Sequence, residues 1–152
     1  MRGYDLQRTG NAVDAVLKPP FIVKWIFDRG ATSGAWTASP IIVNGVLYQG
    51  DRMLGTNFVW ALDAETGSFL WKLPHLDFEV GEMAYSYNDS SLKYCLFKGT
   101  TLGKNQFLES LDIASHVIQW TITSTYGMYP MPLGSLTYAL DSSGTLMSVD
   151  NA

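Results

Sequence analysis

Apolar and polar positions along this chain show almost no helical periodicity. Short β-branched and aromatic runs are broken by Gly, Asn, Asp, Ser and Pro, a pattern of strands and turns. The clearest hairpin is PIIVNGVLYQG. Its Asn44-Gly45 pair suits a tight turn whose two central residues need positive φ. That turn joins Ile41–Val43 to Val46–Tyr48. A third strand is predicted over Phe58–Asp63 and a fourth over Ser68–Leu73, giving a four-stranded antiparallel meander.

The same order recurs. EMAYSYNDSSLKYCLFKG supplies two strands around Asn-Asp-Ser-Ser, QFLESLD a third and HVIQWTI a fourth. YPMPLGSLTYALDSSGTLMSVD then supplies three strands, with turns at Gly134-Ser135 and Ser142–Gly144. Trp25, Trp71 and Trp120 follow one another at 46 and 49 residues, and Asp63, Asp112 and Asp150 at 49 and 38. Tyr48, Tyr94 and Tyr138, at 46 and 44, are taken as equivalent second-strand positions. A drifting period near 45 with four strands per unit is the signature of propeller blades. A sandwich of plain hairpins is the alternative, but it would not need a Trp at one place in each unit. The expected fold is therefore all-β, with about three four-stranded blades at 36–73, 83–122 and 128–150, the last completed by residues 20–27.

The phrase ALDAETGSFLW, Ala61 to Trp71, returns as SLDIASHVIQW, Ser110 to Trp120, and begins again at SVDNA. Each part has a local task. Ala61 is small enough to let a neighbouring sheet approach. Asp63 ends a strand, where its carboxylate can accept backbone N–H bonds from the turn, and Thr66 can do the same more weakly. Gly67 suits a left-handed backbone. Trp71 falls on the outer strand. An indole buries roughly 150–250 Å², worth at most about 4–6 kcal/mol at ~25 cal/mol/Å². One thin sheet cannot bury that area, so the Trp is expected to fasten its sheet to the next.

This phrase resembles the tryptophan-docking motif of the pyrroloquinoline-quinone (PQQ) repeat β-propellers, Ala-x-Asp-x-x-Thr-Gly-x-x-x-Trp. Ala61, Asp63, Thr66, Gly67 and Trp71 all match, and SPIIVNGVLYQG resembles the family's first two blade strands. The second copy keeps Asp112 and Trp120 but has Ser110, Ser115 and His116 where the motif has Ala, Thr and Gly. The third stops after Asp150. The resemblance implies that an N-terminal strand carrying Trp25 serves as the outer strand of the last blade. Three blades fall short of the four that closed propellers need. Two readings follow: the chain is a piece of a longer one, or two copies combine into a six-blade ring.

Within that family some members are PQQ-dependent dehydrogenases with a calcium ion under the quinone, and others are scaffolds or sensor domains. The resemblance alone cannot choose between them. The expected role is a non-enzymatic module that binds a protein partner or itself, with no cofactor. A fragment of a quinoprotein dehydrogenase, using PQQ and calcium, is the alternative. Trp36, in SGAWTAS, is the one aromatic singled out as a possible ligand contact. Asp77, Glu79 and Glu82 form a loose acidic group, read as a solvated loop rather than a metal site. His75 and His116 have no nucleophile paired with them in the sequence.

Bulk properties narrow the rest. A formal net charge of −4, with 10 basic residues scattered among 14 acidic ones, gives no phosphate-binding face, so nucleic acid is not an expected partner. Only 16% of residues are charged, which leaves apolar surface for a partner to cover. The single Cys95 sits in an apolar run and is expected to be buried and inert. No run is long and apolar enough to span a bilayer as a helix. MRGYDLQRTG lacks the apolar core of an export signal, although the resemblance itself leans towards an extracytoplasmic protein.

Overall fold

The computed structural model describes residues 22–30, 35–36, 38–52, 55–97, 106–124, 130–140 and 145–151. These residues form twelve strands in three antiparallel sheets and no helix. The first sheet holds β1 (Ala35–Trp36), β2 (Ile41–Val43), β3 (Val46–Arg52), β4 (Thr56–Asp63) and β5 (Phe69–Leu76). Both β1 and β2 pair with β3, one at each end, so together they act as one interrupted edge strand. The second sheet runs β6 (Glu79–Ser86), β7 (Ser91–Phe97), β8 (Gln106–Asp112) and β9 (Val117–Ser124). The third runs β10 (Met131–Leu133), β11 (Leu136–Leu140) and β12 (Leu146–Asp150). Strand order follows chain order from β2 onward, as in a meander, and no sheet closes on itself.

Turn chemistry explains the hairpins. Asn44 and Gly45 take φ of 50° and 78°, the pair of positive values a tight two-residue turn requires. The third sheet turns between β10 and β11 through Gly134, at φ 60°.

The sheets stack in chain order. One cluster joins the first and second: Val43, Tyr48, Val59 and Ala61 meet Val80, Leu92, Tyr94, Leu96 and Leu111. A smaller one joins the second and third: Cys95 and Leu108 meet Ala139, with Phe97, Trp120, Met147 and Val149 around them. The edge strand β6 lies against β2 and β3 on one side and β10 on the other.

Backbones come very close at one crossing. A Cβ on Gly50 of β3 would lie 2.7 Å from Val80 Cγ1 and 2.8 Å from the Val80 carbonyl oxygen of β6. Only a residue without a side chain allows this approach. Gly50→Ala is expected to cost about 1–3 kcal/mol through forced separation of the two sheets. Urea unfolding measures it, and an unchanged midpoint would contradict the contact.

Register corrects one reading of the repeat. Tyr48 pairs with Ala61 and Tyr138 with Ser148, but Ser110, the counterpart of Ala61 and Ser148, pairs with Lys93. Lys93, not Tyr94, is therefore the equivalent of Tyr48 and Tyr138, and the true interval is 45 residues at both steps. Tyr94 belongs to the opposite face of its sheet and points back at the first one.

The N-terminal described segment, Ile22–Gly30, belongs to no ladder, and the third sheet has three strands. The segment lies along the first sheet. Phe27 packs edge-on to Trp60 with ring centroids 5.6 Å apart. Arg29 Nη1 reaches the fully buried Asp51 Oδ2 at 3.4 Å. Asp51 also accepts from the Phe58 backbone N–H at 2.6 Å and from Trp60 Nε1 at 2.7 Å.

Candidate functional site

Two turns that follow the third strand of a sheet share one geometry. In the first, Asp63 Oδ1 accepts from Glu65 N at 3.0 Å, Thr66 N at 2.7 Å and Thr66 Oγ1 at 2.8 Å. In the second, Asp112 Oδ1 accepts from Ala114 N at 2.9 Å, Ser115 N at 2.7 Å and Ser115 Oγ at 3.0 Å. The Thr66 hydroxyl first of all holds the Asp63 carboxyl below the usual range, and the Ser115 backbone N–H does so for Asp112. Gly67 and His116 then close their turns on the carbonyls of Asp63 and Asp112, at 2.8 and 2.9 Å. Both have positive φ, 74° and 59°. Ser115 thus replaces Thr66, and His116 occupies the left-handed position of Gly67.

A Trp sits on each of these turns. The Trp25 indole covers Gly67 so closely that a Cβ there would lie 2.6 Å from its ring, and Trp25 Nε1 donates to the Ala64 carbonyl at 3.1 Å. A Lys24–Glu65 ion pair flanks the contact. Trp71 stacks on His116 with ring centroids 4.3 Å apart, and on its own sheet it touches Tyr48 at 5.9 Å. Trp71 pairs with Ala61 and Trp120 with Ser110, and each pairing is followed by the same register shift, at Ala61/Leu62 and Ser110/Leu111. The bulge aims the indole out of its own ladder towards the next sheet.

The third copy starts in the same way. Asn151 N donates to Ser135 O at 2.8 Å, as Ala64 N does to Gly45 O. Asp150 ends β12, paired with Leu136 as Asp63 is with Val46. Trp120 lies in the cluster between the second and third sheets, and its Nε1 is buried with no hydrogen-bond partner.

A polar network between the first two sheets was not legible in the sequence. Tyr94, fully buried, donates its hydroxyl to Glu109 Oε2 at 3.0 Å and lies 3.2 Å from His75 Nε2. Thr121 Oγ1 donates to Glu109 Oε1 at 3.2 Å. Burial pushes the His75 imidazole down to about 4 and raises Tyr94 and Glu109 above their usual ranges. His75 is thus neutral at pH 7, and its 3.8 Å approach to Glu109 is no ion pair there. The network fastens β5 to β7, β8 and β9.

His75 makes stability depend on pH. Unfolded, the imidazole takes its proton near pH 6.5; folded, near 4. The unfolded state therefore binds more protons between these values, and stability falls as pH drops through that window. Glu109 acts with the opposite sign, because a carboxyl raised by burial takes its proton earlier in the folded state. The His75 contribution is isolated by comparison. Between pH 7 and 4.5 the native chain is expected to lose about 1–3 kcal/mol more than His75→Gln. Parallel urea titrations of the two proteins check this, and coincident pH profiles would refute it.

The other candidates lie on several elements of the first two sheets. Trp36 lies in β1 with its backbone opposite Asp51, and its side chain is outside the described residues. Cys95 is fully buried, and burial pushes its thiol up to about 12. Glu79 is paired with Arg52 at 2.7 Å, and Asp77 takes φ 62° in the β5–β6 turn. Among the described residues no group of three or more His, Cys, Asp or Glu is placed to hold a metal ion. The cleft of about 410 Å³ between the β6–β7 turn and β10 is lined by Tyr85, Ser86, Tyr87, Asn88, Pro132, Leu133 and Gly134 and supplies no carboxylate. No helix among the described residues is long and apolar enough to cross a membrane. The chain matches no protein-family model and no curated protein.

Proposed function

We propose that the chain is an arc of a PQQ-repeat-like β-propeller and works as a non-catalytic module that binds a protein through its open sheet face. Supporting the arc is the repeated polarity of docking: Trp25 on the first turn and Trp71 on the second. Supporting the binding role is the bare face of the third sheet. Met131, Leu133, Leu140 and Leu146 are 45%, 73%, 42% and 60% exposed there. In-register pairing puts Met131 beside Tyr138, Leu133 beside Leu136 and Leu140 beside Leu146, so these six residues share one side. The matching side of the first sheet, with Val43, Val46 and Tyr48, is the one that packs on the second.

Titration with PQQ and calcium, followed by quinone absorbance and dye-linked alcohol oxidation, tests the non-catalytic part. The expected result is no saturable binding and no turnover. Saturable binding with turnover would overturn this reading in favour of a quinoprotein dehydrogenase.

A further inference from the structure

We infer that the cleft between the β6–β7 turn and β10 is a binding site for a neutral saccharide. The inference goes beyond the protein-binding role and stands on the cleft alone. The cleft volume of about 410 Å³ lies within the roughly 300–1,000 Å³ typical of small-molecule sites.

One polar group marks the site. Ser86, only 2% exposed, lines the cleft, and its Oγ is buried with no hydrogen-bond partner. The neighbouring Asp89 carboxylate is taken by Ser91 Oγ at 2.7 Å and Lys93 Nζ at 2.6 Å. Even a Ser86 proton leaning towards Asp89 would leave the lone pairs of Ser86 Oγ open to a donor. A buried hydroxyl left without a partner carries a desolvation penalty, and a ligand that bonds to it removes that penalty.

The other lining groups form a corner around this hydroxyl. Tyr87 is 85% exposed, and its ring meets that of Tyr85 edge-on, with centroids 4.8 Å apart and planes at 84°. Tyr85 packs against the core between the first two sheets, which fixes the corner. Tyr87 therefore presents a flat apolar wall to the solvent. Asn88 adds an exposed amide with two donors and an acceptor. Pro132 and Gly134 supply the side that belongs to the third sheet.

These groups select one ligand chemistry. None of the described lining residues is charged, so an ionic ligand would give up its hydration without a counter-charge. A purely apolar ligand would leave Ser86 Oγ unpaired. A proline-rich peptide offers carbonyl acceptors and apolar rings, but proline has no N–H to give to Ser86. Two perpendicular rings also make a corner, not the groove that such a peptide enters. A sugar ring meets every condition: a C–H face for the Tyr87 ring, and hydroxyls that both donate and accept for Ser86 and Asn88.

The test uses the full chain. Saturation-transfer NMR and calorimetric titration with maltose, cellobiose and N,N′-diacetylchitobiose are expected to show saturable binding of at least one of them in the millimolar range. Tyr87→Ala changes an exposed side chain, should leave the circular dichroism unchanged, and is expected to lower the affinity about tenfold or more. Ser86→Ala is expected to weaken binding as well, through loss of the one buried hydroxyl in the cleft. Absence of saturable binding to all the disaccharides, or binding that survives either substitution, overturns the proposal. Saturable binding of decaproline in place of the disaccharides overturns it in favour of a peptide site. None of these failures touches the non-catalytic reading, which fails only by PQQ-dependent turnover.

Discussion

Truncating Trp71 to alanine is expected to lower stability by about 3–5 kcal/mol, the range for removing a large aromatic from a packed site. The size follows from what the ring touches. On one side it lies against Tyr48 of its own sheet, and on the other it stacks on His116 of the next. Its loss opens a void at the seam between two sheets, which are rigid ladders and cannot collapse into it independently. Trp71→Phe keeps a ring at the seam and should lose less than half as much. Equilibrium urea unfolding of the three proteins is the measurement, with the slope held under watch for loss of two-state behaviour. Equal stability of Trp71→Ala and the native chain would mean that the indole does not fasten the sheets.

Local chemistry made much of this fold readable. Asn44-Gly45 announces its hairpin because few other pairs accept two positive φ values. QFLESLD coincides with β8, since the Asp that ends it is held by its own turn within three residues. Other features depend on which sheet lies opposite, and these were hidden. Tyr94 and Lys93 are neighbours in one strand, and only the ladder to β8 tells which faces forward. The tyrosine series drifted by one residue because a buried lysine in the equivalent position carries no aromatic label. Nothing in the sequence links His75 to Glu109, yet stacking buries both against Tyr94. In LKYCLF the lysine inside an apolar run was the one available sign of an interior charge.

Interior polarity differs between the two seams. Between the first and second sheets, an apolar cluster is reinforced by a network whose members are all bonded. Between the second and third, the cluster is smaller, and both Trp120 Nε1 and Asn151 Nδ2 are buried without a partner. Each orphaned donor costs about 1–3 kcal/mol of desolvation. The third sheet also has a bare outer face.

Lys93 gives the second large effect, and its sign depends on which partner is removed. The side chain is fully buried, with Nζ 2.6 Å from Asp89 Oδ2, 2.7 Å from Ser110 Oγ and 4.8 Å from the centre of the Trp120 ring. Asp89→Ala strands a buried cation beside one hydroxyl and is expected to cost about 3 kcal/mol. Lys93→Met keeps the volume against Trp120 and removes the need for a counter-charge. It should be neutral or stabilising by about 1 kcal/mol, with the lost cation–π contact offset by relief of desolvation. The double variant should recover most of the Asp89→Ala loss, because no charge then remains to strand. A double-mutant cycle in urea reads the coupling directly. If Asp89→Ala costs the same with methionine at position 93 as with lysine, the two side chains do not act as a pair, and the cation is held by something other than Asp89.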